Sequence, residues 1–190
     1  MTVQYPAIGE TFFKGVYKLP EGHYFTYRDG KMDIHRYYDE DFREGKQKLG
    51  ELVNSIDQTV CDSVKAHQIA DVEVGSFLSS GVDSSYVAAV ARPQHTYSIG
   101  FGKGTYNESQ QAGELAELLK LNNTAESLTD EEAFAAFPRI QWHLDEPDSN
   151  PSCVPLYFLS ALAAKDVKVV LSGEGADELF AGYIDYGMHT

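Results

Sequence analysis

Two short segments carry the residues most able to do chemistry. The first is Ser79-Ser80-Gly81-Val82-Asp83-Ser84-Ser85. A loop of hydroxyls and a glycine running into a helix start offers an anion unpaired amides and the positive end of a dipole. Asp83 would repel a phosphate placed there unless a cation lay between them. Mg²⁺ held by one or two carboxylates plus phosphate oxygens removes that conflict. The dinucleotide pattern GxGxxG is absent, and so is GxxxxGK followed by Ser or Thr. The structural alternative is a β–α turn in which Asp83 or Ser84 is the N-cap.

The second segment is Ser172-Gly173-Glu174-Gly175-Ala176-Asp177-Glu178, continuing into Leu179-Phe180-Ala181-Gly182-Tyr183. Flanking glycines let backbone approach a ligand closely and leave Glu174 free to point into a cleft. Asp177 follows three residues later, within one helical turn if a helix starts there. The structural alternative is a glycine-rich turn whose acids favour a helix N-terminus.

The elements that must position these segments follow from periodicity. Before about residue 41, the runs Val16–Leu19, Tyr24–Tyr27 and Ile34–Tyr38 are β-type, separated by the turn residues Pro20-Glu21-Gly22 and Asp29-Gly30. A ribbon of that size is marginal alone and must lean on something larger. Leu49, Leu52, Val53, Ile56, Val60 and Val64 then recur at helical steps through about Ala66. A strand is expected over Val72–Leu78, a helix near Ser84–Ala91, a strand over His95–Phe101 and a helix from Glu108 to Leu121. Thr129 and Glu132 form a capping box for a helix through Phe134 and Phe137. Pro155 opens another helix through Ala164, and Val167–Leu171 is a last strand. Alternating elements of this kind imply an α/β fold, a parallel sheet with helices on both faces, preceded by a short β ribbon. Ligands on such sheets bind outside the carboxyl ends of the strands, where both acidic segments fall.

Composition narrows the classes. The 190 residues carry 15 Lys+Arg against 29 Asp+Glu, a formal charge of −14. That balance argues against nucleic-acid backbone as a partner, which needs cationic side chains to displace counterions. It disfavours a basic membrane-surface helix equally, and no apolar run is long enough to span a bilayer. Cys61 and Cys153 form no CxxC pair and point to a reducing, cytoplasmic setting. The start, Met1-Thr2-Val3-Gln4-Tyr5-Pro6, lacks a basic and an apolar signal region, so no signal peptide is expected. A compact chain of this size is expected to bury about 68–70% of its unfolded surface. His67, His95 and His143 lack zinc-ligand spacing. Trp142, with Phe134 and Phe137, is expected in the core.

Ser79–Ser85 resembles the pyrophosphate-binding loop of the AMP-forming ATP-pyrophosphatase (PP-loop) superfamily. Ser172–Tyr183 resembles the Ser-Gly-Glu-Gly-x-Asp-Glu-Leu-Phe-x-Gly-Tyr stretch of glutamine-hydrolysing asparagine synthetases. Ser98-Ile99-Gly100-Phe101, Tyr106-Asn107-Glu108-Ser109 and His143-Leu144-Asp145-Glu146-Pro147 fall in that family's order. The segment from Phe13 to His23 resembles the joint between its glutaminase and synthetase domains. Residues 1–40 are thus expected to be a remnant of the glutaminase domain and linker, and 41–190 the N-terminal part of a synthetase domain of adenine nucleotide alpha hydrolase-like, Rossmann-like fold.

The resemblance implies ATP and Mg²⁺ as ligands. Ser79, Gly81, Asp83, Ser84 and Ser85 would hold the β,γ-pyrophosphate, with Asp83 and Asp177 placing the metal. Phe77, Leu78 and Ile99 would border adenine and ribose, and Ser172 and Gly173 would contact the adenylate. Glu174 would assist ammonia. The implied reaction adenylates the aspartate side chain, and ammonia from glutamine then displaces AMP to give asparagine. The partners implied are small molecules (ATP, aspartate and ammonia), with a homodimer allowed. Ser80 stands where the family has Gly, and Asn150 where it often has Asp. An N-terminal Cys nucleophile and the later lysine acting on ATP phosphates are not in the chain, so it is expected to be a fragment, inactive alone. The alternatives are a related amidotransferase or β-lactam synthetase acting on another carboxylate, and a non-catalytic nucleotide-binding module.

Overall fold

Asp29 and Gly30 both have positive φ, 51° and 75°, the left-handed pair that a two-residue hairpin turn requires. They join β1 (His23–Arg28) to β2 (Lys31–Arg36), antiparallel from His23 opposite Arg36 to Arg28 opposite Lys31. Tyr24 stacks on His35 with ring centroids 5.1 Å apart. Val16–Leu19 contributes only an isolated bridge, Tyr17 with Glu10.

The structure is a computed structural model that describes residues 9–41, 45–102 and 108–183. Tyr106 and Asn107 lie outside the described residues. After the hairpin come α1 (Leu49–His67), β3 (Val74–Phe77), α2 (Val82–Ala91), β4 (His95–Phe101), α3 (Glu108–Leu119), β5 (Asn122–Leu128), α4 (Asp130–His143), α5 (Cys153–Ala163), β6 (Val169–Leu171) and α6 (Ala176–Phe180). The boundaries expected from periodicity hold to within two or three residues. The exceptions are Val16–Leu19, expected as a β-type run but forming no strand, and β5, for which no strand was expected.

The main sheet is parallel, in the order β5-β4-β3-β6. The chain moves outward from β3 through β4 to β5, then returns to lay β6 on the other side of β3. That reversal makes the carboxyl ends of β3 and β6 the place where a crevice forms. Helices cover both faces. On one, Leu78 packs with Ala88, Ala112 and Ala116 of α2 and α3. On the other, Phe77, Tyr97 and Ile99 pack with Leu162, Ala163 and Val167. Adjacent residues Phe77 and Leu78 serve opposite faces, as strand alternation demands. Burial and the Asp166 carboxylate, which accepts its hydroxyl at 3.3 Å, push Tyr97 up to about 12.

The hairpin arm meets this layer through an ion pair between Lys18 and Glu146. Phe13 lies in a niche with Pro138, Trp142 and Pro147.

Two expectations are overturned. Phe134, Phe137 and Trp142 are 80%, 45% and 74% exposed, and Ile140 is the residue α4 buries. At 100° per residue, Trp142 points well away from Ile140's side of the helix. Accessible surface is 14805 Å², against about 9,000 Å² for a compact 21.1 kDa monomer. The hairpin exposes both of its faces, and apolar side chains line an open groove.

Candidate functional site

β3 and β6 are direct neighbours, with Val74 beside Val169 and Ser76 beside Leu171. Their following loops therefore emerge together. The loop after β3 is held by its own hydroxyls. Ser84 Oγ accepts from the Ser79 amide at 3.1 Å and lies 2.7 Å from Ser79 Oγ. The Gly81 amide donates to Ser79 Oγ at 3.1 Å, and Ser85 Oγ donates to the Gly81 carbonyl at 2.6 Å. Gly81, in extended conformation, is the N-cap of α2 and no side chain caps the helix. Asp83 sits in the first turn, so neither Asp83 nor Ser84 is the N-cap. The amides at the start of α2 lack intrahelical partners, as at any helix start, and form the anion-attracting end of the helix.

The loop after β6 presses directly on this turn. A β-carbon on Gly173 would lie 2.7 Å from the Ser84 amide nitrogen and 2.8 Å from Asp83 Cβ. Only a residue without a side chain fits there. Gly175, at φ 89°, then turns the chain into α6.

Beside the junction opens a groove of about 830 Å³. Asp83, Tyr86, Ser172, Gly173 and Glu174 line one part, and apolar residues of α1 and α6, including Ile56, Val60, Leu179 and Phe180, line the rest. Asp83 and Glu174 thus open onto one space.

Asp177 lies differently. Gly182 packs so closely on its carboxylate that a β-carbon there would be 1.9 Å from Oδ1, and the Gly182 amide donates to the Asp177 carbonyl at 2.9 Å. Tyr183 donates its hydroxyl to Glu178 at 2.8 Å. That hydrogen bond, with the neighbouring carboxylates of Glu178, Asp177 and Glu174, pushes its phenol up to about 12. It remains a donor at neutral pH.

The Asparagine synthase family profile matches residues 55–189. The chain belongs to the asparagine synthase family. It is 39% identical over 191 residues to glutamine-hydrolysing asparagine synthetase 1 of Bacillus subtilis strain 168, covering 98% of this chain and 30% of that protein. It is 29% identical over 190 residues to the glutamine-hydrolysing asparagine synthetase B of Escherichia coli K12, covering 88% and 34%. The chain therefore spans about a third of the length of these relatives. The NMN synthetase structure from Francisella tularensis superposes with a TM-score of 0.47 at 19% identity, over 73% of this chain and 60% of that one.

The residues that family resemblance nominates divide by position. Ser79, Gly81, Asp83, Ser84 and Ser85 form the α2 entry, and Ser172, Gly173 and Glu174 meet it. Phe77 and Ile99 pack on the α5 face of the sheet. Leu78, 2% exposed, sits in the core under α2 and α3. Asp177 is adjacent to the groove but not in its lining. The donor set suits Mg²⁺, a hard cation served by one or two carboxylates plus phosphate oxygens. No group of three or more His, Cys, Asp and Glu converges among the described residues.

Sequence reasoning passed over Tyr86. It follows Asp83 by three residues, so both lie on one side of α2, and it too lines the groove. Its hydroxyl donates to Asp57 of α1 and lies 3.8 Å from Cys61 Sγ. The Asp57 hydrogen bond, followed by that of Cys61, raises its pKa above the ordinary tyrosine range. The spacing to Asp83 was the available clue. Among the described residues, no helix is long and apolar enough to cross a membrane.

Proposed function

We propose that this chain is the nucleotide-binding part of an enzyme that uses ATP to make an amide, cleaving ATP to AMP and pyrophosphate. Residues 1–40 are the joint to a glutaminase domain, and 41–190 begin the synthetase domain. The single observation that carries this reading is the seating of Gly173 on the Asp83–Ser84 backbone, which joins the hydroxyl-rich helix entry to the loop bearing Glu174.

In this reading the pyrophosphate of ATP lies at the start of α2, against Gly81, Ser84 and Ser85. The loop's hydroxyls, now bonded among themselves, turn toward phosphate oxygens. Asp83 would hold Mg²⁺, joined by Asp177 once its carboxylate turns from Gly182 into the groove, and the cation would offset phosphate repulsion in a chain of net charge −14. Phe77 and Ile99 border the adenine, and Ser172 and Gly173 border the adenylate. A carboxylate oxygen of aspartate attacks the α-phosphorus and pyrophosphate leaves with the bridging oxygen. Ammonia derived from glutamine then attacks the activated carbonyl carbon, AMP leaves, and Glu174 accepts the surplus proton. A base so placed contributes roughly 10²–10⁴-fold.

The test separates the two steps in the full-length protein. Asp83→Ala is expected to abolish ATP–pyrophosphate exchange, and unchanged exchange would refute the loop assignment. Glu174→Gln is expected to keep exchange and slow amide formation by roughly 10²-fold or more. Synthesis at the normal rate would remove Glu174 from catalysis. Pyrophosphate release with a panel of carboxylates decides whether aspartate is the substrate.

A further inference from the structure

The peptide plane between Leu78 and Ser79 is the base of the hydroxyl-rich loop, and it is held at both ends. Its N–H donates to Ser84 Oγ at 3.1 Å. Its carbonyl, that of Leu78, accepts from Ser98 Oγ at 2.7 Å. Ser98 is 1% exposed, so no water competes for that proton. The Leu78 amide also donates to the Tyr97 carbonyl at 2.8 Å.

Ser98 has a second neighbour. The side-chain amide of Asn123, on β5, lies 3.1 Å from Ser98 Oγ and 3.0 Å from Thr96 Oγ1, with Oδ1 as the facing atom. Thr96 Oγ1 is in turn 3.0 Å from the Asn122 carbonyl. Each hydroxyl has one proton. With Oδ1 facing them, Ser98 must choose between Leu78 and Asn123, and Thr96 between Asn122 and Asn123. With the amide turned so that Nδ2 faces them, both hydroxyls and both backbone carbonyls are satisfied. Its two protons go to Ser98 and Thr96, whose own protons go to Leu78 and Asn122. Exchanging O and N of an asparagine changes almost nothing but this bookkeeping.

We infer that Asn123, donating through Ser98 to the Leu78 carbonyl, sets the tilt of the Leu78–Ser79 peptide and so positions the loop for a nucleotide's phosphates. Ser98 and Asn123 are positioning residues; neither touches the groove. The inference rests on the nucleotide reading for its consequence, but not for its geometry.

Thr96 supplies a matched control, since it is equally buried, shares Asn123 as a partner and does not touch Leu78. Ser98→Ala, Thr96→Val and Asn123→Asp are compared in the intact protein by amide hydrogen exchange at Ser79 and Gly81 and by calorimetry with Mg-ATP. Ser98→Ala is expected to speed exchange at both amides and weaken Mg-ATP roughly five- to tenfold, the scale of one hydrogen bond. Thr96→Val is expected to change neither, even where both variants lose thermal stability. Asn123→Asp keeps the shape but cannot donate, so it draws the Ser98 proton away from Leu78 and reproduces the Ser98→Ala loop exchange. Ser98→Cys replaces Ser98→Ala if the latter does not fold. Equal effects of the Ser98 and Thr96 variants would overturn the proposal, as would unaltered loop exchange in Asn123→Asp. If the unsubstituted protein binds no Mg-ATP, the nucleotide reading fails and the exchange data still decide the positioning role.

Discussion

Two glycines of one loop fail differently when given a side chain. At Gly173 the obstacle is contact, because the new β-carbon meets backbone of α2 at 2.7 and 2.9 Å, which cannot step aside. At Gly175 no atom of the described residues lies within 4 Å, but φ is 89°, so the cost is conformational, about 1–2 kcal/mol. Overpacking at Gly173 costs a similar 1–3 kcal/mol or so. The two alanine variants should therefore lose comparable thermal stability, while only Gly173→Ala shifts the Asp83–Ser84 turn and lowers affinity for Mg-ATP. Titration calorimetry on the pair checks this, and equal affinities would detach the β6 loop from the site. At this scale the sequence was legible where chemistry is local. Ser79, Asp83 and Glu174 announce themselves by type and by glycine neighbours. Tyr86 and Ser98 do not, because their partners Asp57 and Leu78 are 29 and 20 residues away. The turning of Asp177 toward Gly182 was likewise hidden, since it depends on how α6 ends.

Among elements, α4 shows a helix start that the sequence spells out. The Thr129 amide and hydroxyl donate to Glu132 Oε2 at 2.9 and 2.8 Å, and the Glu132 amide donates back to Thr129 Oγ1 at 3.2 Å. The backbone hydrogen bond, then the hydroxyl, holds the Glu132 carboxyl below its usual 4.5. Because the folded pKa is lowered, its contribution is present above the ordinary glutamate value and is lost as pH falls through the folded one. Thr129→Ala should cost about 1 kcal/mol at neutral pH. The gap between the two proteins should narrow as pH falls below the glutamate range, and thermal unfolding across that range measures it. A constant gap would mean that the box is not what titrates.

β5 was not readable in the same way. Asn122–Leu128 has one β-branched residue, and only Leu128 is fully buried. It is a strand because β4 offers an edge to pair with from His95 to Phe101, information that lies 27 residues upstream. The misjudged aromatics of α4 have a similar origin: helical period places Ile140 and Trp142 on different sides, but only tertiary packing decides which side is covered.

For the whole molecule, two opposing terms decide behaviour in solution. Accessible surface stands at 14805 Å², roughly 1.6 times that of a compact monomer of this mass. Large apolar side chains are exposed: Phe13, Tyr17 and Phe25 on the arm and Val82, Leu179 and Phe180 around the groove are each more than half exposed. Surfaces of that kind drive association. Against it stands a net charge of −14, which makes copies repel one another. Apolar attraction acts at contact, whereas repulsion reaches about a Debye length, roughly 30 Å at 0.01 M salt and 3 Å at 1 M. Salt therefore removes the opposing term and leaves the driving one. The chain should sediment mainly as a monomer at low ionic strength and shift toward larger species as sodium chloride rises to about 0.5 M. Substituting Leu179 and Phe180 by serine should blunt that shift. A monodisperse monomer at every salt concentration would show that the groove and arm do not attract each other or their copies.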